Sequence, residues 1–592
     1  MSELPAEPSV ETTAAGEEGL GSPSERPPQP PWLKWLSRAA GLGIDLLAIS
    51  LVLWLRLLVW PRGLPEDTLA QLPDADSPLW AWVGSGDFML FGPDAGQWAE
   101  SAQNWLSGAR LDPHRMPVYT ALTAWLSPGG EVIVGGHLVN HLAGLLTAVL
   151  VYVAGSLSSG RGVGLGAALW VAALPALISS QMVYGVDPSF ALMFMLAVSA
   201  TVATARWWFL FPLAGIASGL LAGTHYLGLA FPVVFALFAA TTEGRWWAKL
   251  LAFVGTLTIA AGVLHWLLSV FPGFGIGDIV GTYQEGISNP TGGADQVTEP
   301  LRERLITAPR LAVQRGLMPL LQTDLPWTLL VVLMWVGVVG FQLPGRKDKP
   351  WDWRMGLGLL ILCGPLMLLE ATRAPERYRD FLRPVVILLV MRGVGGLGAA
   401  AEWGIGRKLW PQRWPAIPRG WLPVLLCGGV GWFGLNGLMG HWPGPQAGAA
   451  PGGTHQPHGQ HSQGGPGAYE QAVGQAVKRL FPEAPNLMVT RQVVAFHSGM
   501  DACPANPCGN RAGTLHSCRV KVDMQCKGEV IPVVVEIVDG QVTPDALNGV
   551  FDEWVWQSFE PIETLADPES GSKSLIYALP REEIRPAQTQ GF

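Results

Sequence analysis

The feature that constrains this chain most is a recurring one. It contains runs of apolar residues about 20 long, the length of helix that crosses a bilayer core. Inside hydrocarbon the backbone must satisfy its own hydrogen bonds, so such runs imply helices. Hydropathy and length place about eleven, near 36–60, 131–156, 162–181, 188–205, 207–223, 225–241, 249–271, 326–343, 355–371, 381–399 and 421–440. Only 14% of the residues are charged, well below the share in ordinary soluble domains. Tryptophans stand at the ends of many runs (Trp32, Trp35, Trp60, Trp246, Trp247, Trp327 and Trp421), where indole favours the headgroup region. The expected fold class is a mainly α, polytopic membrane protein with a small C-terminal α+β domain.

Charge sets the expected orientation. Lys34 and Arg38 flank the first run, which puts the N-terminus in the cytoplasm. Alternation then places Arg161, Arg206, Arg245 with Lys249, the Arg346–Lys349 turn, and Arg407-Lys408 with Arg413 inside, as short basic loops should be. The segments 61–130, 272–325 and 372–380 fall outside, as does everything after 440. The positive charge of these exterior loops is all arginine, including Arg110, Arg115, Arg373, Arg377 and Arg379. Arginine forks suit phosphate oxygens, although lysine is scarce throughout the chain. A formal net charge of −8 speaks against a nucleic-acid partner.

Outside the apolar runs the chain changes character. Residues 1–31 are acidic and rich in Pro, Ser and Glu, a composition that cannot bury a core. They read as a disordered cytoplasmic tail and not as a cleavable signal peptide. Residues 441–468 form a linker of Gly, Pro, Gln and His, whose His455, His458 and His461 fit a flexible linker better than a metal site. Residues 469–592 read as an exterior, periplasmic α+β domain. Tyr469 to Leu480 has helical apolar spacing, and Val533 to Val538 reads as a strand followed by an Asp539-Gly540 turn. Cys503, Cys508, Cys518 and Cys526 are an even set outside the cytoplasm and suggest disulfides of unspecified pairing. Cys363 and Cys427 read as inert core residues.

The first exterior loop is richest in potential chemistry. Asp94 precedes an amphipathic run with Trp98, Ala102, Trp105 and Leu106 on one face, a pattern that can lie in the membrane interface. Beyond it comes Asp112-Pro113-His114-Arg115-Met116-Pro117-Val118-Tyr119. A carboxylate held just above the membrane can act as a general base or a metal ligand. Asp94 with Gln97 also has the form of a capping box. Asp187-Pro188 carries the same ambiguity: it is a helix-start signal and also a second exterior carboxylate. Asp94 and Asp187 could share a divalent metal such as Mg or Mn, or divide base and positioning roles. His137 and His141 lie one helical turn apart, a spacing that fits a metal but is better read as helix–helix hydrogen bonding.

The order of these features resembles the glycosyltransferase C superfamily, in particular the bacterial dolichyl-phosphate-mannose-protein mannosyltransferase-like and aminoarabinose-transferase-like enzymes. Asp94, then Trp98-Ala99, then His114 to Tyr119 follow the family's first-loop order. Leu138-Val139-Asn140, Tyr184-Gly185-Val186-Asp187-Pro188, Leu220 to Tyr226, and Arg377-Tyr378 with Pro384 resemble later segments. The chain departs from the family at Ala95, where an acidic residue is frequent, and at His225, where Lys is frequent. The resemblance covers roughly 80–240 and, thinly, 370–385. It implies that 32–440 is a transferase domain using a polyprenyl-phosphate-linked sugar, with a lipid, glycan or protein acceptor, in the bacterial inner membrane. Asp94 and Asp187 would be catalytic. Arg373, Arg377, Tyr378, His114, Arg115 and His225 would bind substrate; the arginines could equally meet lipid headgroups. Two rival functions remain. A transporter or flippase of a lipid-linked or anionic solute predicts charges deep within the helices; a non-catalytic scaffold would act through 469–592.

Overall fold

The structure, a computed structural model, describes residues 31–58, 95–109, 115–182, 184–242, 244–270, 327–339, 353–364, 380–408, 421–440, 468–489, 492–502, 526–538, 540–542, 549–567 and 572–583. The chain falls into two compact units, Met1–Ala48 and Ile49–Phe592. Its helices are α1 (Pro31–Leu58), α2 (Ala95–Ser107), α3 (Pro117–Trp125), α4 (Val132–Ser159), α5 (Arg161–Ala172), α6 (Pro175–Met182) and α7 (Asp187–Arg206). There follow α8 (Phe211–Ala222), α9 (Phe231–Ala239), α10 (Trp246–Val270), α11 (Trp327–Val339), α12 (Trp353–Leu362), α13 (Arg383–Lys408) and α14 (Trp421–Gly440).

Each apolar run expected from the sequence contains one or more of these helices. Five stretches are long and apolar enough to cross a membrane: Ala39–Leu57, Val132–Ser159, Asp187–Arg206, Trp246–Val270 and Asp380–Glu402. The other six runs contain shorter apolar helices. The burial gradient is that of a protein in lipid. About the bundle's axis, 83% of the Asp380–Glu402 window and 78% of the Asp187–Arg206 window are buried, against 22% for Trp246–Val270. That rim helix exposes Trp246, Leu250, Val254 and Trp266, an apolar surface too extensive for a soluble monomer. The chain is an integral, multi-pass membrane protein.

Small residues set the helix spacing, because hydrocarbon gives packed helices no hydrophobic advantage over lipid and close backbone approach must supply the attraction. A Cβ on Gly155 of α4 would lie 2.6 Å from the Gly164 Cα of α5. Gly337 of α11 and Gly393 of α13 face the Leu389 and Leu333 carbonyls in the same way. Polar side chains add to this between helices: Ser199 Oγ donates to the Leu150 carbonyl at 3.1 Å, and Arg206 Nη1 to that of Leu157 at 2.8 Å.

The run expected as one helix at 162–181 is broken. α5 ends at Ala172 and α6 starts at Pro175, because proline has no N–H to continue the ladder. Carbonyls on both sides of the break find a donor on α1. Arg56 Nη1 donates to the Ala172 carbonyl at 2.7 Å and Nη2 to that of Leu177 at 3.3 Å. Arg56 is 3% exposed, and Gly144 leaves the space: a Cβ there would meet the Gln181 amide and, at 3.0 Å, Arg56 Nη2.

The C-terminal region carries α15 (Ala468–Leu480), β1 (Asn486–Val489), α16 (Gln492–Ser498), β2 (Asp501–Ala502), β3 (Val530–Val538), β4 (Gln541–Val542), α17 (Gly549–Ser558), β5 (Glu563–Ala566) and β6 (Lys573–Pro580). The sheet order is β2-β1-β3-β6-β5, with β4 paired to β3. β1 is parallel to β2 and β3, whereas β3–β4, β3–β6 and β5–β6 are antiparallel. Val538 pairs with Gln541, and Gly540 takes a φ of +77°, the left-handed conformation that tight hairpin turns use. The expected helix from Tyr469 and strand from Val533 are both present. Cys526 is buried in the sheet core, while Cys503, Cys508 and Cys518 lie outside the described residues. Cys363 and Cys427 are free thiols.

Candidate active site

Three segments distant in sequence converge on one small hollow. Leu177 and Ser180 come from α6, Asp187, Phe190 and Ala191 from α7, His225 from the turn after α8, and Asp380 with Phe381 from the approach to α13. Its apolar wall is a set of edge-on aromatic contacts. Phe381 packs on Phe190 at 4.8 Å, Phe194 at 4.9 Å and Phe231 at 5.5 Å. Two carboxylates and an imidazole therefore share a recess walled by aromatic rings.

Asp187 enters this recess because of where α7 starts. The Phe190 N–H donates to the Val186 carbonyl at 2.8 Å, which makes Val186 the N-cap and Asp187 the first helical residue. Val186 makes no side-chain cap bond. Asp187 sits instead in the first turn, where the positive end of the helix favours an anion. His225 caps a short 3₁₀ turn (Tyr226–Ala230), its Nδ1 accepting the Leu227 N–H at 3.2 Å. With Nδ1 an acceptor, a neutral ring carries its proton on Nε2. It is 5% exposed and packs on Phe190 at 5.6 Å and Tyr226 at 4.1 Å. Asp380 accepts from Arg383 Nε at 2.7 Å.

A second layer supports the turn before Asp187. Trp98 of α2 stands edge-on to Tyr119 of α3 at 5.1 Å, and Tyr119 to Tyr184 at 6.3 Å. Together with Val132, Val139 and Val186 they form one buried cluster. Tyr184 Oη donates to the Val132 carbonyl at 3.0 Å. The Tyr119 hydroxyl is surrounded by Thr123, Asn140, the Gly185 backbone and, electrostatically, Asp187. Burial, reinforced by the charge of Asp187, pushes its ionisation well above the ordinary range, and the nearby polar groups of Thr123 and Asn140 offset this only in part. It is a neutral phenol. Arg115 lies over the Trp98 ring at 5.0 Å, a cation–π contact that holds it at the cluster's edge.

The structure thus unites Asp187 and His225 of the expected site and places Arg115 beside the supporting cluster. Asp94, His114, Arg373, Arg377 and Tyr378 lie outside the described residues. α2 begins at the residue after Asp94, but its buried face differs from the expected one. Trp98, Ala99 and Ala102 pack inward, whereas Leu106 is 47% exposed. The bond of His141 Nδ1 to the His137 carbonyl, at 2.7 Å, stays within α4. Among the described residues no group of three or more His, Cys, Asp and Glu is arranged to hold a metal.

Sequence reasoning missed Asp380, Tyr119 and Tyr184 as site residues, although all three stand in or beside segments already singled out. It also missed Arg56 and Arg392. Both had a usable signal, a lone arginine inside a long apolar run. Arg392 is 1% exposed and donates to the Gly337 carbonyl at 2.6 Å, the Ser158 carbonyl at 3.2 Å and Ser159 Oγ at 2.6 Å.

No protein-family model matches the chain, and no curated protein does. Solved structures do. The apo oligosaccharyltransferase of Archaeoglobus fulgidus superposes with a TM-score of 0.50 at 13% identity, over 83% of this chain and 69% of its own. ArnT of Cupriavidus metallidurans bound to undecaprenyl phosphate gives 0.49 at 12% identity, over 90% and 98%. The likeness to the oligosaccharyltransferase is one of fold.

Proposed function

We propose that this protein is a membrane glycosyltransferase that moves a sugar from a polyprenyl-phosphate-linked donor to an acceptor on the exterior face. The observation that carries this reading is the hollow shared by Asp187, His225 and Asp380, in a fold like that of an oligosaccharyltransferase. An acceptor hydroxyl or amine attacks the anomeric carbon while Asp187, with Asp94, orients it or takes its proton. The bond from that carbon to the phosphate oxygen breaks, and polyprenyl phosphate leaves as an anion. Arginines and neutral donors stabilise that charge: His225 through Nε2–H, and Arg373, Arg377 and Tyr378 from the neighbouring loop, with His114 and Arg115 on the first-loop side. The aromatic wall limits water, which would otherwise compete as acceptor.

A divalent metal held by Asp94 and Asp187 belongs to the same proposal. The described donors do not complete such a site, since Asp380 is paired with Arg383 and His225 Nδ1 is engaged by Leu227. We also read 1–31 as a cytoplasmic tail, 32–440 as the transferase domain, 441–468 as a linker and 469–592 as an exterior domain, with eleven spans in all and the inner membrane of a bacterium as its location. Disulfides among Cys503, Cys508, Cys518 and Cys526 belong to the same reading.

The transporter reading gains one point, because Arg56 and Arg392 are charges buried inside apolar helices. Both, however, are bonded to carbonyls or a hydroxyl of neighbouring helices, and neither lines the hollow. The test is transfer from a polyprenyl-phosphate-linked sugar, read by mass spectrometry of lipid-linked products. Asp187→Asn should lower turnover by about 10²–10⁴ in a protein that still folds, and Asp94→Asn should do likewise. Full turnover in both variants would remove the proposed mechanism, and no transfer by the wild-type protein would end the transferase reading.

A further inference from the structure

Helix α16 divides its loyalties within three consecutive residues. Val494 and Ala495 are buried in the core of the C-terminal sheet with Val473, Val477, Val489 and Val534. The helix is pressed onto α15, where a Cβ on Gly474 would lie 2.6 Å from His497 Cβ and 2.7 Å from the Val494 carbonyl. Phe496 belongs elsewhere. It packs against the cluster of Trp98, Tyr119, Tyr184 and Val186, and α16 as a whole lies on α2. A half-buried aromatic ring that leaves its own core for another segment's is the pattern of an anchor, since aromatic side chains carry large contact area at low entropic cost.

The receiving cluster is the layer beneath the candidate site. Trp98 touches Tyr119, Tyr119 touches Tyr184, and Asp187 follows three residues after Tyr184 and faces the Tyr119 phenol electrostatically. We propose that Phe496 is a positioning residue through which the C-terminal α+β region holds α2 and the Tyr184–Asp187 turn in their working arrangement. The mechanical coupling stands on these contacts alone; its effect on turnover rests on the proposed transferase function. The appended region is then part of the site's supporting shell, not a passive appendage.

The test uses the full chain in detergent. Deuterium uptake is followed for peptides covering 95–107, 184–187, 473–489 and 530–538 in wild type, Phe496→Ala and Phe496→Leu. Phe496→Ala should speed exchange about tenfold in 95–107 and 184–187 and leave 473–489 and 530–538 unchanged, with Phe496→Leu restoring most of the protection. Unchanged exchange in 95–107 and 184–187 overturns the proposal, and so does equal loosening of 473–489, which would mark Phe496 as an ordinary core residue. Transfer assays separate the two readings. In Phe496→Ala the coupling predicts a fall in kcat greater than any rise in KM for the lipid-linked donor. Altered exchange in Phe496→Ala alongside no sugar transfer by the wild-type protein overturns the transferase function alone. An inactive Asp187→Asn with unaltered exchange in Phe496→Ala overturns the coupling alone.

Discussion

Replacing Gly136 by Ala asks whether the turn before Asp187 is held against α4 by direct contact. A Cβ on Gly136 would stand 2.2 Å from Cε2, 2.5 Å from Cζ and 2.8 Å from the hydroxyl oxygen of Tyr184. Carbon atoms rest at about 3.5–4.0 Å, so the ring must retreat by more than about 1 Å. It has little room. Tyr184 is 1% exposed, edge-on to His137 at 5.5 Å, and bonded to the Val132 carbonyl. Overpacking costs about 1–3 kcal/mol, and loss of the hydroxyl's bond about 1 kcal/mol more. Gly136→Ala should therefore lose about 2–4 kcal/mol, read as a lower thermal midpoint of the detergent-solubilised protein by tryptophan fluorescence. Transfer should fall with it, because the displaced turn carries Asp187. Tyr184→Leu removes all three clashing atoms. The double variant should then be more stable than the sum of the single losses by at least about 1 kcal/mol. Additivity to within about 0.5 kcal/mol would show that the two residues do not press on each other, and the reasoning would fall.

Two further outcomes follow from buried groups. Arg56→Met removes the charged donor to the Ala172 and Leu177 carbonyls. It should cost about 1–3 kcal/mol, partly offset by relief of a buried charge, with faster deuterium exchange concentrated in 175–182; uniform exchange changes would count against a local staple. Burial lowers His497 from its ordinary 6.5 to about 4, so the folded state resists a proton that the unfolded chain accepts. Stability should be insensitive to His497 above pH 6.5 and decline as pH falls towards 4, and His497→Gln should lack that part of the decline in a thermal-melt series.

How much of this was legible in the sequence depended on which physical force set each feature. The apolar runs and the Val533 strand could be read because solvent, lipid or water, imposes a period on the side chains. The break at Ala173 to Leu174 was missed because the composition of 162–181 stays apolar across it, and only Pro175 marks it. What makes that break tolerable is Arg56, more than a hundred residues earlier, and no local pattern connects the two. Arg392 is the same lesson: its partners are on α4 and α11. The hollow was half legible. Asp187 and His225 were singled out by their segments, yet Asp380 was passed over because the arginines before it drew the attention.

The ambiguity at Asp187 shows why local sequence stops where it does. Asp-Pro at a helix start supports a cap or a functional carboxylate equally, and the two readings differ by one residue in where the helix begins. Boundaries are uncertain by that much in any assignment unless a hydrogen bond fixes them. Here the Phe190 N–H to Val186 carbonyl bond does so. It moves the cap to Val186 and sets Asp187 on the wall of the hollow. With the helix start fixed there, Asp187 stands both in the first turn of α7 and on the wall of the hollow, so the helix-start motif and the candidate carboxylate are one residue.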